Sequence, residues 1–270
     1  MKKLINYALD LNNLRKTFGY QTLWKSMKSE LRLQVMDNPI NLIKTSENHA
    51  KILVLSPHPD DDVFGLGGTL SKFQRGGDSI TIVYFCDGSK GTPEGIRDSS
   101  LIIKRKKEVK DALKVMNIDN YIFWGYKDGQ LQVTRTSIKA LNNLIDKIRP
   151  DIIFIPSLMD DHPDHKATNE IFYYSYFKYP EKPFDFSTLI AMYEVWTPLL
   201  PNRIVNISDV INIKKEAISY HKSQLRSRAY DKAILALNQY RAELNGVKGF
   251  AEAFYTCDPA IYKELYDKIK

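Results

Sequence analysis

The chain has 270 residues, 43% of them hydrophobic and 26% charged, which fits one sizeable globular domain and excludes a disordered or fibrous protein. Its formal net charge of +7 arises from 39 basic and 32 acidic residues that interleave along the chain, so no nucleic-acid partner is expected, even at the densest basic run, residues 104–107. No apolar stretch reaches the ~18 residues of a membrane span, the start has no secretory pattern, and two cysteines, Cys86 and Cys257, make neither a disulfide framework nor a thiolate zinc site; a cytoplasmic protein is expected.

Residues 1–50 carry Leu11, Leu14, Phe18 and then Leu23, Met27, Leu31 at roughly helical spacing, broken at Asn38-Pro39. They are expected to form an N-terminal helical extension, with the main domain at 51–270. From Lys51 the pattern changes. Short apolar runs at 52–55, 80–85, 121–124 and 152–155 alternate with helical stretches ending at Gly76-Gly77 and covering about 98–117 and 136–148. Further strands are expected at 189–195 and 204–207, and helix from Ser208 to about Asn245. Strands alternating with long helices imply an α/β fold. Runs without a polar face imply strands buried on both sides, in a Rossmann-like, mostly parallel sheet with helices on both faces.

Such sheets bind ligands outside the carboxyl ends of strands, where chain order reverses. If the first and fourth strands are neighbours, SPHPDDD after Leu55 and PSLMDDHPDH after Ile155 share one crevice. Three of the five histidines, His58, His162 and His165, lie in these two segments. So many carboxylates together need a cation or shared protons. With imidazoles present and no thiolates, a borderline metal such as zinc suits the donors better than magnesium or calcium. His58 and Asp61 stand three apart in one loop, and an imidazole about a hundred positions later completes a three-ligand set that leaves a place for water.

These residues resemble a known family. HPDD after the first strand and HPDH after the fourth are similar to the LmbE/PIG-L-type zinc-dependent N-deacetylases. The resemblance extends to the R-x-x-E of Arg105 and Glu108, to residues 126–131, to Arg149-Pro150-Asp151, and more weakly to YHKSQ at 220–224 and GFAEAFY at 249–255. It implies His58, Asp61 and His165 as ligands of one zinc ion per chain, with another divalent transition metal as the alternative. It further implies Asp60 as general base, His162 as the group that holds the oxyanion or protonates the leaving amine, Asp164 as a carboxylate orienting a histidine, and Arg105 and Asp128 as substrate contacts. Asp62 stands where the family commonly has glutamate. The implied substrate is an N-acetylglucosamine-type amino sugar, free or conjugated, and a homo-oligomer is compatible with the sequence.

Three other readings compete. A nucleotide-binding protein is disfavoured because the glycines at 65, 67 and 68 follow the acids and do not form GxGxxG. A metal-dependent phosphoesterase would use the same residue types around two metals. A non-catalytic carbohydrate-binding relative should have lost a ligand or the base, and none is missing. The aromatic cluster from Tyr173 to Tyr179 is expected to be core or interface, His221 a packing residue, and the glycine-containing loop 87–97 a wall of the pocket.

Overall fold

A computed structural model describes residues 34–37, 49–92, 95–180, 184 and 187–270. The four expected strands are present as β2 (Lys51–Ser56), β3 (Ser79–Cys86), β4 (Tyr121–Tyr126) and β5 (Ile152–Pro156), followed by β6 (Leu189–Tyr193) and β7 (Arg203–Asn206). Two more strands complete the sheet. Gln34–Met36 form β1, and Ala251–Cys257 form β8. The strand order is β1-β7-β8-β6-β5-β2-β3-β4. All pairings are parallel except those of β8, which runs antiparallel between β6 and β7.

The N-terminal helical reading falls mostly on residues outside the described ones. Where it can be compared, at Gln34–Met36, the backbone is extended and pairs with β7, a correction to the helical expectation. β7 would otherwise be an open edge, and its free hydrogen-bonding groups outweigh a local helical pattern.

The described helices are α1 (Asp61–Arg75), α2 (Ser99–Val115), α3 (Arg135–Ile148), α4 (Pro163–Tyr173), α5 (Ile211–Tyr220), α6 (Lys222–Leu225), α7 (Tyr230–Glu243) and α8 (Pro259–Ile269). Alternate residues of β2 feed two separate cores. Ile52 and Val54 pack under α1, α2 and α5, whereas Leu53 and Leu55 pack under α3, α4 and α8. A sheet covered on both faces explains why its strands read as continuous apolar runs. The tyrosine-rich segment joins the second core, where Tyr173 stacks on Tyr266 with ring centroids 4.3 Å apart.

Since β2 pairs with both β3 and β5, chain order reverses between β2 and β5. The two HPD segments leave neighbouring strand ends there, as the sequence requires. Helix α1 then lies unusually close to the sheet. A Cβ on Gly65 would come within 2.5 Å of the Tyr193 ring, and one on Gly68 within 2.8 Å of Ile207. The glycines after the acid cluster thus serve backbone packing. Leu66 breaks the helical backbone between them, with φ −145°. The amides of Gly68 and Thr69, freed by this break, donate to Glu252 of β8 at 2.8 and 2.7 Å. Lys214 of α5 neutralises that buried carboxylate at 2.6 Å.

Candidate metal centre

Proline on either side of His58 stiffens the loop after β2, and the His58 amide donates to Asp61 Oδ2 at 2.8 Å, folding the loop over the start of α1. After β5, His162 caps α4 with Pro163 in its first turn, and His165 follows one turn later. Three side-chain atoms from these segments converge. His58 Nδ1 is 3.1 Å from Asp61 Oδ2, His165 Nε2 is 3.2 Å from the same oxygen, and the two imidazole nitrogens are 3.3 Å apart.

Edges of this length match a tetrahedral shell, in which bonds of ~2.0–2.1 Å separate neighbouring donors by roughly 3.3 Å. Two nitrogens and one carboxylate oxygen also suit a borderline divalent cation. The donors therefore fit the metal that the sequence implies. Two other groups, His58 with His162 and His165, and His58 with Cys86 and Asp164, also bring possible ligand atoms within 4.8 Å of one another. Burial pushes the Cys86 thiol up, so it remains protonated and its Sγ stands 3.5 Å from Asp164. It makes a poor ligand beside the tighter triangle.

Each imidazole of the triangle rests on a carboxylate at its other nitrogen. His58 Nε2 donates to Asp164 Oδ2 at 3.0 Å, and His165 Nδ1 donates to Asp160 Oδ2 at 3.0 Å. Such outer carboxylates fix the ring's tautomer and orientation. Asp164 is itself held by the amides of Gly129 and Leu131 at 2.6 and 3.0 Å. Burial opposes its ionisation, yet His58 and these amides keep its carboxyl below the ordinary range. For Asp61, too, burial works against the charge, and His165 and His58 hold the pKa well below normal.

Asp60 sits beside the triangle and pairs with Arg105 at 2.8 Å. Burial raises its pKa to about 6 despite the guanidinium. Arg105 is itself buried and also donates to the carbonyls of Gly88 and Pro59. Asp128 Oδ1 lies 3.4 Å from His58 Nε2, and its Oδ2 accepts from the Lys90 amide at 3.0 Å. Asp62 points elsewhere. Its Oδ2 accepts from the Tyr84 hydroxyl at 2.7 Å, and burial raises its pKa to about 7.

His162 is half-buried, and its Nδ1 accepts from the Asp164 amide at 3.2 Å. Burial, followed by the charges of His58 and His165, lowers its pKa. Because Nδ1 accepts from that amide, the neutral ring carries its proton on Nε2.

A cavity of about 480 Å³ opens over these groups, lined by His58, Asp60, Asp61, Arg105, Asp128 and His162. Lys90, Gly91, Thr92 and Gly95 of the glycine-containing loop wall one side. Every site residue singled out in the sequence lies in or directly behind this cavity. Asp160 was not singled out, although it sits in the same MDDHPDH segment, and neither were Trp196 and Tyr230, which complete the wall. No helix of the described residues is long and apolar enough to cross a membrane.

Fold and site together define an α/β protein with a candidate metal-binding cluster at the switch point of its mostly parallel sheet. Comparison with known proteins makes this specific. A profile of the family described as PIG-L, GlcNAc-PI de-N-acetylase, matches residues 53–175. The chain is 29% identical over 229 residues to diacetylchitobiose deacetylase of Thermococcus kodakarensis, covering 80% of each protein. It is 27% identical over 217 residues to a probable N-acetyl-alpha-D-glucosaminyl L-malate deacetylase 2 of Bacillus cereus, covering 76% of this chain and 96% of that one. Among solved structures, N,N'-diacetylchitobiose deacetylase from Pyrococcus horikoshii superimposes with a TM-score of 0.69 at 26% identity, covering 90% of this chain and 92% of that one. The chain is thus similar to the PIG-L/LmbE-type deacetylases, through the family match at residues 53–175 and through relatives matched along most of its length.

Proposed function

We propose that this protein is a zinc-dependent de-N-acetylase acting on an N-acetylglucosamine-type amino sugar or its conjugate, releasing acetate and a free amine. The observation that carries the reading is the triangle of His58 Nδ1, Asp61 Oδ2 and His165 Nε2, in which His58 and Asp61 line a cavity that Asp60 also lines. Relatives named for deacetylating chitobiose-type and glucosaminyl-malate substrates support the substrate class.

His58, Asp61 and His165 would hold the ion, which when bound supplies Lewis acidity to water and to the amide carbonyl. Asp60 takes the proton of the attacking water. Its raised pKa makes it a stronger base than an ordinary aspartate, and Arg105 holds the carboxylate in place. His162 donates from Nε2 to the oxyanion as the tetrahedral centre develops. Asp60, carrying the water's proton, then returns it to the departing nitrogen. Asp164 and Asp160 hold the two ligand imidazoles in the tautomers that leave Nδ1 of His58 and Nε2 of His165 free of protons.

The test is acetate release from N-acetylated amino sugars by zinc-loaded protein, with the metal content measured alongside. Asp60→Asn should keep one zinc per chain and lose about 10²–10⁴-fold in kcat, the usual range for a positioned general base. Wild-type turnover by that variant would overturn the assignment. A phosphoesterase would instead hold two metals and release phosphate.

A further inference from the structure

We propose that Trp196, braced by Tyr230, is the platform of a second binding position beside the metal centre, one that takes the apolar face of a pyranose ring attached to the N-acetylated hexosamine. This rests on the deacetylase reading and makes the preferred substrate at least a disaccharide or a comparable ring-bearing conjugate.

Trp196 lies between β6 and β7 and is 46% exposed. Of the exposed large apolar side chains, it is the one that lines the cavity over the metal centre among the described residues. A lone exposed indole on a protein surface needs no explanation. This one is built in. Its backbone amide donates to Asp160 Oδ2 at 3.2 Å, the same oxygen that accepts from His165 Nδ1. Tyr230 packs on its ring edge-on, with centroids 5.4 Å apart and planes at 79°. Tyr230 in turn rests on Phe64 of α1, whose first turn carries Asp61, at 5.9 Å. The Trp196 backbone is thus tied to the second HPD segment, and its indole packs through Tyr230 against the helix that carries Asp61.

Its position matters as much as its rigidity. The indole plane lies within 19° of the His162 ring, with centroids 6.4 Å apart, so the aromatic wall continues directly from the catalytic end of the cavity. The cavity of about 480 Å³ is lined by Trp196, Tyr230 and Arg228 as well as by Asp60 and Arg105, so the indole faces the same space as the groups beside the metal triangle. Pyranose rings present a face of C–H groups bounded by an equator of hydroxyls. A fixed indole matches such a face by area burial and ring–CH contact, at little cost in conformational entropy because the platform is already ordered. Free phosphate would have no comparable use for it.

The experiment compares N,N'-diacetylchitobiose with N-acetylglucosamine on zinc-loaded wild-type, Trp196→Ala and Trp196→Phe proteins. The platform predicts that Trp196→Ala lowers the disaccharide-to-monosaccharide ratio of kcat/KM by at least ~10-fold, carried by KM, and that Trp196→Phe recovers most of it. An equal loss on both sugars, or none, overturns the inference and leaves the deacetylase reading intact. Calorimetric binding of diacetylchitobiose to the Asp60→Asn protein, with and without Trp196→Ala, separates the two claims. Binding that weakens ~10-fold without Trp196 supports the platform even if wild type releases no acetate, in which case the reaction reading alone fails. Binding indifferent to Trp196 overturns the platform whatever the acetate assay shows.

Discussion

Asp160 serves two groups with one oxygen: its Oδ2 accepts from His165 Nδ1 at 3.0 Å and from the Trp196 amide at 3.2 Å. Its other oxygen accepts from the His162 amide at 3.0 Å. Removing this carboxylate should loosen a metal ligand without touching the metal. Asp160→Ala is expected to weaken zinc affinity by about 10–100-fold, as other outer-shell losses do, with Asp160→Asn falling between. Competition with a chromophoric chelator measures this, and unchanged affinity would show that His165 needs no such support.

His58→Ala and His165→Ala each remove one corner of the triangle. Zinc content should drop from one per chain toward none, and acetate release with it. In the wild type, chelation should also lower the melting temperature, because a ligand bound at ~100 times its Kd contributes about 2.7 kcal/mol to the native state. A melting temperature that ignores chelator would mean that the triangle holds no ion.

The buried Lys214–Glu252 pair predicts a different kind of loss. Lys214→Met leaves Glu252 charged in a site closed to bulk solvent, and breaking one side of such a pair typically costs about 3–5 kcal/mol. Changing both residues, as Lys214→Met with Glu252→Gln, should cost less than Lys214→Met alone, since no uncompensated charge remains. Denaturant unfolding of the two proteins decides this.

His221 predicts how stability changes with pH. It is fully buried and packs edge-on against Phe64 at 5.6 Å, with the Pro59 backbone beside its ring. Burial, then the charge of Arg105, lowers its pKa to about 3. Unfolded, the same imidazole takes a proton near pH 6.5. Its contribution is fully present above that pH. As pH falls from about 6.5 toward 3, the unfolded chain binds a proton that the native state refuses, and stability declines by about 1.4 kcal/mol per unit. His221→Phe should flatten the profile by one proton over that window. A slope identical to wild type would place His221 elsewhere in the native state.

The strands of the parallel half were legible because burial on both faces leaves no polar residue to interrupt them, and the meeting of the two loops because two HPD segments follow two of those strands. β8 was not, and Glu252 is the reason. In AEAFYTC a charged residue sits second in the strand, which reads as a loop or an exposed edge. Only the three-dimensional structure reveals Lys214 and the amides of Gly68 and Thr69 that satisfy it. Asp160 escaped for a related reason. Of the adjacent pair Asp160 and Asp161, one is buried against His165 and the other is exposed and paired with Lys166, and spacing alone does not distinguish them. Arg105 could have been a surface ion pair or a pocket residue, and it proves to be both buried and paired, with Asp60.

The antiparallel strand between β6 and β7 also orders events during synthesis. β7, and through it β1, reaches the rest of the sheet only by way of β8, and the broken segment of α1 obtains its carboxylate cap from the same strand. A ribosome-bound chain that already carries both HPD segments still lacks the strand that settles the first of them against the sheet. Residues 251–257 therefore act as a latch, and a nascent chain ending before them should carry its metal ligands in a loop not yet held in place.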